Sequence, residues 1–350
     1  MSSVYLLGAG ASCEYRAKLP GMLFSQKFRD GFFLDCNFFE FVDVMWEEWF
    51  EDGAKPPDHY DGTKWNWPAL EGVLKQTCGN NYRTSGLERC YSAISDLGLQ
   101  HEALFLRCIE LVLFHQLRGV LPANLPVHLE FVRKAIKPGE VLLTFNYDPL
   151  IEQALLLGAS DGDSPIRWHE RDGYGVEVVP LDSNPPPRPD EQSNVHVLKL
   201  HGSVDWLCRA GEQPTPPLRA LRITSSSMRG QGMIARASDG VPLRPVIVPP
   251  LPNKSYEAMV LQEVWELADR ALAKASSLTV IGYSLPPTDD RPRQLLARAA
   301  GRIGHEAKVT FVTRSDGEAA ARFKCIFPAA RVVDGGFAAY VLQLPGPRRQ

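Results

Sequence analysis

Four apolar runs in this chain each end in residues able to meet a polar ligand. Val4-Tyr5-Leu6-Leu7 runs into Gly8-Ala9-Gly10-Ala11-Ser12, where residues with no Cβ or a small one let backbone N–H groups come close to a phosphate. A helix starting there would add the positive end of its dipole, so Gly8, Ala9, Gly10, Ala11 and Ser12 are expected to hold a pyrophosphate. Tight packing of the turn is the alternative origin of the two glycines. Further along, Thr144-Phe145-Asn146-Tyr147-Asp148 supplies an amide and a carboxylate, Lys199-Leu200-His201-Gly202-Ser203 an imidazole, and Gly282-Tyr283-Ser284 a second glycine turn with a hydroxyl. In an open parallel sheet ligands bind beyond the carboxyl ends of the strands, so groups this far apart in sequence can converge on one molecule.

The elements that must position them are legible as short, nearly continuous apolar runs: Val141–Thr144, Val195–Leu200, Val246–Val248, Leu278–Ile281 and Val309–Val312. Such runs read as strands of a sheet covered on both faces. Helix-compatible stretches at Tyr256–Ala275, Asp290–Ala300 and Asp316–Cys325 separate several of them, as crossovers between parallel strands require. The pattern predicts an α/β chain, a Rossmann-like mostly parallel sheet with helices on both faces, built from residues 1–18 and 138–345. Residues 19–137 read as a large helical module inserted after the first strand. Within it Phe38–Phe50 is dense in aromatics and Leu87–Leu117 has apolar residues at three- and four-residue spacing. Trp46, Trp49, Trp65 and Trp67 are expected as core or interface anchors. Glu71 has no role legible in the sequence. Residues 161–194 and 210–240, rich in Gly, Pro and Asp or otherwise irregular, read as long loops of the kind that often serve as lids.

Composition narrows the function class. Apolar residues make up 44% of the chain, enough for a sizeable core, and 38 Lys and Arg against 41 Asp and Glu give a formal charge of -3. No basic field exists to hold a phosphate backbone, so nucleic acid is not an expected partner. No signal peptide and no run long enough to span a bilayer is seen, and a cytoplasmic location is expected. The seven cysteines are scattered and form no C-x-x-C pair, so no metal is expected and free thiols in a reducing compartment are the reading.

In order and spacing, the Gly8–Ser12 turn, the T-x-N-Y-D element ending at Asp148, the L-H-G-S element around His201 and the G-Y-S turn from Gly282 resemble the sirtuin superfamily. Within it they are similar to the sirtuin-like NAD hydrolases of prokaryotic anti-phage defence. Val248-Pro249-Pro250-Leu251-Pro252-Asn253-Lys254 is a softer match to a proline-rich stretch in those hydrolases. The chain departs from deacylating sirtuins, which usually carry a zinc module of two C-x-x-C pairs and an arginine motif soon after the first glycine turn. Here Leu19-Pro20-Gly21 stands in the corresponding region.

The resemblance implies NAD as substrate, cleaved between nicotinamide and ribose to give ADP-ribose and nicotinamide. It implies Asn146 as the residue orienting the water or ribose, His201 as the base, Asp148 as lining of the nicotinamide pocket, and Ser12, Gly282 and Ser284 as binders of phosphate or the adenosine ribose. The chemistry is consistent with these residue types. The leaving pyridine departs neutral from a cationic ring, so no general acid is needed. The site has to stabilise an oxocarbenium-like ribose, position a water and provide a base. The residues have plainer readings too. Asn146 or Asp148 could cap the helix starting at Pro149, His201 could be a structural histidine, Ser284 an ordinary turn serine, and Asp289 and Asp290 helix-start residues. His196 reads as structural and Lys254 as a solvated lysine. The family further implies control through a homo-oligomer or a separately encoded ATPase or sensor partner, and defence by NAD depletion. The alternatives are an NAD-dependent protein deacylase and a non-catalytic NAD or ADP-ribose sensing module.

Overall fold

A computed structural model of the chain describes residues 2–16, 67–84, 125–160, 164–180, 192–209, 213–220, 243–248, 258–286, 289–303, 308–314 and 317–346, with single positions 39, 43, 90, 93, 94, 97 and 105. In chain order its elements are β1 (Ser2–Leu7), α1 (Ala9–Arg16), α2 (Trp67–Cys78), α3 (Pro126–Ala135), β2 (Val141–Thr144), α4 (Leu150–Ala159), β3 (Val178–Pro180), β4 (His196–Lys199), β5 (Gly202–Arg209), β6 (Leu218–Ala220), β7 (Leu243–Ile247), α5 (Met259–Ala273), β8 (Ala275–Ile281), α6 (Asp290–Arg302), β9 (Lys308–Val312), α7 (Gly317–Ile326), β10 (Arg331–Val333) and α8 (Gly336–Gln343).

Six of the strands form one all-parallel sheet in the order β10-β9-β8-β1-β2-β4. The chain steps outward from β1 through β2 to β4, then crosses back to lay β8, β9 and β10 on the other side. The strand order therefore reverses between β1 and β8, the switch point at which a doubly wound sheet opens a crevice. Val4, Leu6, Leu142, Leu143, Val197, Val280 and Ile281 are buried. Each such side chain taken out of water contributes about 1.5–3 kcal/mol.

Two groups of helices cover the two faces, as right-handed crossovers in opposite directions demand. α3, α4 and α8 pack together, with α1 against α8. Phe131 of α3 meets Tyr5 edge-on at 5.3 Å and Phe337 of α8 at 5.2 Å, and the Tyr5 hydroxyl donates to the Ala135 carbonyl. On the other face α5 packs on β4 and β8 and against α6, which meets α7. The buried set Val260, Leu261, Val264, Trp265, Ala268 and Leu272 has the helical spacing of an amphipathic stripe.

Two expectations need correction. The stretches 161–194 and 210–240, read as long loops, contain β3 and β6, which pair with each other. The run Val246–Val248 does not join the covered parallel sheet: β7 pairs antiparallel with β5 in a second sheet of order β3-β6-β5-β7. The cause is Gly202, held at φ +76°, which turns the chain directly from β4 into β5. A Cβ there would lie 2.0 Å from the Val246 carbonyl oxygen, so only glycine permits the approach of β7. A short apolar run signals burial, and its periodicity does not say in which sheet.

In the region after α1, Trp67 is buried and stacks on Phe39 at 6.1 Å. Glu71 is clamped by Tyr82 (2.7 Å), Arg83 (2.9 Å) and Lys75 (3.0 Å), and Arg83 also pairs with Asp43. Burial pushes the Glu71 carboxyl up, but these three donors outweigh it and hold the pKa at about 2. Its partners make Glu71 a structural clamp residue. Trp46, Trp49 and Trp65 lie outside the described residues, as does Pro249–Lys254 with Lys254 itself. Among the described residues no helix is long and apolar enough to cross a membrane.

Candidate functional site

The ladders of the central sheet run one residue past the strands and tie the four motifs side by side. Gly8 N–H donates to Ile281 O (2.9 Å), Phe145 N–H to Leu7 O (3.0 Å), Leu200 N–H to Thr144 O (2.9 Å) and Gly282 N–H to Val312 O (3.0 Å). The motifs follow four adjacent strands, β8, β1, β2 and β4, and meet at the carboxyl edge of the sheet over the switch point.

The two glycine turns interlock. Gly10 N–H donates to Gly282 O at 2.8 Å, a Cβ on Gly8 would lie 2.6 Å from Tyr283 Cα, and one on Gly10 would lie 2.7 Å from Gly282 Cα. Gly282 itself has φ +64°, and its Cβ would sit 2.4 Å from the Ala11 nitrogen. Turn-to-turn contact alone thus requires glycine at all three positions. α1 starts at Ala9, in the same bend, and Ser12 is buried in its next residues. Because left-handed backbone and backbone overlap add, Gly282→Ala should destabilise the protein by at least about 2 kcal/mol. Gly301→Ala, in α6 with open space around it, should be neutral or stabilising by up to about 1 kcal/mol. Urea melts of the two variants check the contrast.

Asn146 reaches across to the glycine turn. Its side-chain Nδ2 donates to Gly8 O (3.0 Å) and Ser12 Oγ (2.9 Å), while its backbone N–H donates to Thr144 Oγ1 (3.0 Å). A carbonyl can only accept, so the Gly8 contact fixes which end of the amide is nitrogen. What Asn146 can offer a ligand is the acceptor Oδ1. Asp148 is buried; its Oδ1 accepts from Leu150 N–H at 3.3 Å at the start of α4, the arrangement of an Asx cap. Of the two helix-cap readings, the geometry is therefore that of Asp148.

His201 is 5% exposed and sits in a bed of rings. Phe145 lies 4.9 Å from it and Tyr147 6.2 Å, and Phe145 in turn lies 4.4 Å from Tyr283. The strand ends that carry the amide, the imidazole and both glycine turns thus lie side by side. Ser284 lies on the β8 side and is exposed; its carbonyl accepts from Arg322 Nη2 (3.1 Å) and Nε (3.2 Å). His196 is half-buried inside β4, where burial pushes its pKa down against the pull of Asp172. Asp290 opens α6, and the buried Asp289 accepts from the Tyr283 hydroxyl at 2.9 Å.

Sequence reasoning passed over the charged pair beneath this edge. Lys199 and Glu152, both fully buried, meet at 2.7 Å, and Lys199 Nζ also donates to the Asp148 carbonyl at 2.7 Å. Burial pushes the Glu152 carboxyl up, and the Lys199 ammonium opposes it. A signal was present: Lys199 interrupts the run Val195–Leu200 and Glu152 the run Leu150–Leu157, and a charge inside an apolar run asks for a partner. Among the described residues no group of three or more His, Cys, Asp or Glu could hold a metal.

No curated protein matches the chain. Solved structures of Sir2 align over 98% of this chain and 91% of theirs. Sir2 in complex with the inhibitor EX-527, 2'-O-acetyl-ADP-ribose and a deacetylated p53 peptide does so at 12% identity and a TM-score of 0.42. Sir2 with a p53 peptide and NAD+ does so at 12% identity and 0.38. Residues 140–326, more than half of the chain, match the model of the SIR2-like domain. The chain belongs to the SIR2-like family of the sirtuin superfamily and is a sirtuin-type NAD-binding protein.

Proposed function

We propose that the protein hydrolyses NAD at the bond between nicotinamide and ribose, releasing ADP-ribose and nicotinamide. What supports this reading is that the strand ends carrying the Asn146 amide, oriented by Gly8 and Ser12, and His201, whose ring packs on Phe145 next to Asn146 in the chain, lie side by side at the switch-point edge. In the reaction the N1–C1′ bond breaks and its electron pair leaves with a neutral nicotinamide. A water oxygen bonds to C1′, and the proton it sheds passes to His201. Asn146 Oδ1, an acceptor only, suits holding the water or a ribose hydroxyl by its hydrogen and aiming its oxygen at C1′. The pyrophosphate would lie over the start of α1, whose positive dipole end favours an anion, since the Gly8, Gly10 and Ala11 N–H groups of the bend already donate to the Ile281, Gly282 and Gly8 carbonyls. Gly282 and Ser284 would border the adenosine side, and Asp148 the nicotinamide side.

NAD depletion as an anti-phage defence, controlled by a homo-oligomer or a separately encoded ATPase or sensor, is the biological setting proposed for this activity. An inactive monomer on blue-native gels under every condition would count against such control. The chemistry itself is tested by incubating purified protein with NAD alone and separating the products by chromatography. Nicotinamide and ADP-ribose in equal amounts, formed with no acylated peptide present, are expected. Strict dependence on an acyl-lysine peptide would instead make the protein a deacylase, and binding without turnover a sensor.

A further inference from the structure

Behind the bed of rings lies a residue with no role in the site as described so far. Trp265, on the buried stripe of α5, is 3% exposed, and its indole Nε1–H donates to the Leu200 carbonyl at 2.8 Å. Leu200 is the residue before His201, and its own N–H is already tied to Thr144 O. On the far side of the histidine, its carbonyl accepts from Val248 N–H at 2.8 Å. The peptide units flanking His201 are therefore held from both directions, one of them by a side chain from a different layer of the fold.

The same indole touches the histidine's ring neighbour. Its ring centroid lies 6.2 Å from that of Phe145, which packs at 4.9 Å against His201 and at 4.4 Å against Tyr283. Its outer side is met by the Arg291 guanidinium from the first turn of α6, 4.6 Å from the ring centroid, at the floor of a surface cleft of about 480 Å³ between α5 and α6. Leucine or phenylalanine at position 265 would fill this space with apolar atoms. Tryptophan adds a donor for the Leu200 carbonyl, a buried backbone acceptor beside His201.

We infer that Trp265, clamped from outside by Arg291, is the positioning residue for His201: its N–H fixes the peptide that carries the histidine and its ring fixes the Phe145 face against which the imidazole rests. This rests on the reading of His201 as the base. Side chains that aim a reacting group act on the rate of the chemical step rather than on substrate affinity.

The test uses the full chain and the variants Trp265→Phe, which keeps an aromatic ring and removes the donor, and Arg291→Ala, a half-buried surface change. The His201 ring resonance is followed by NMR, assigned by its loss in His201→Gln, and NAD cleavage is measured alongside. Trp265→Phe should move the His201 resonance and lower kcat by about 10- to 100-fold with KM little changed. Arg291→Ala should move the resonance in the same direction by less and is the deciding variant if Trp265→Phe does not fold. A His201 resonance unmoved in the variants that fold, or a loss of stability with resonance and kcat both intact, overturns the inference. If the wild-type protein cleaves no NAD, the hydrolase reading fails while the His201 resonance still decides whether Trp265 positions the ring.

Discussion

Nicotinamide release from NAD should fall by about 100- to 10,000-fold in His201→Ala and in Asn146→Ala, the range expected when a base or the group aiming the nucleophile is removed. The two losses have different origins. His201→Ala removes the proton acceptor from a packed bed of rings, so the rate drops while the dinucleotide, held elsewhere along the edge, still binds. Asn146→Ala removes the acceptor Oδ1 and also takes one of two donors from the Gly8 carbonyl, which keeps the Ala11 N–H, and a donor from the Ser12 hydroxyl. Some loss of affinity is therefore expected as well, through the glycine bend. Asn146→Asp should be as inactive as alanine, because a carboxylate oxygen would then face the Gly8 carbonyl oxygen across the present 3.0 Å contact. If both residues serve one step, the double alanine variant should be scarcely worse than either single one, since residues acting as a unit are strongly non-additive. Initial rates from chromatography, with thermal melts confirming that each variant folds, decide the matter. Wild-type rates in both single variants would remove these residues from the chemistry.

How far the molecule could be read from its sequence depended on which physical signal each part carries. The covered parallel sheet was legible because buried strands are written as unbroken apolar runs: Val141–Thr144, Leu278–Ile281 and Val309–Val312 all fall inside β2, β8 and β9. The crossover helices were legible from their spacing, with Asp290–Ala300 inside α6. Strand order was not, because it depends on which edges pair across hundreds of residues. Nor was the second sheet, because its entry rests on one positive-φ glycine, Gly202, beside a histidine that attracts attention for other reasons. The candidate site divides in the same way. Residues at strand ends could be named, since an amide or imidazole after an apolar run is conspicuous. Residues acting from behind could not: Trp265 looks like any core aromatic of an amphipathic helix, and only its 2.8 Å bond to Leu200 O sets it apart. The glycines of the first turn show the opposite effect. Room for phosphate and tight packing of the turn were both open readings, and the closest atoms a Cβ would meet belong to the second turn.

The buried pair of Lys199 and Glu152 carries the largest expected effect on stability. Lys199→Met leaves Glu152 in the core with no cation, and removing one partner of such a pair typically costs about 3–5 kcal/mol. Replacing both, as Lys199→Met with Glu152→Leu, exchanges two desolvated charges for packed apolar atoms and should recover most of that loss. The pH dependence has a definite sign. Burial raises the Glu152 carboxyl in the folded protein, and without the opposing Lys199 the rise is larger. A carboxyl raised on folding adds stability below its unfolded value, and that contribution is lost as pH climbs through the folded value. The stability gap between Lys199→Met and wild type should therefore narrow as the pH is lowered from neutrality toward about 5, and the double variant should show no such narrowing. The site should register the change too, because Lys199 Nζ also holds the Asp148 carbonyl at the end of the loop that begins with Asn146. Where Lys199→Met remains folded, and equally in the double variant, NAD cleavage should be impaired although no residue facing the substrate has been altered. Urea melts of the three proteins at two pH values, paired with rates, separate these effects. A single variant as stable as wild type at neutral pH would show that Glu152 finds its compensation elsewhere in the core.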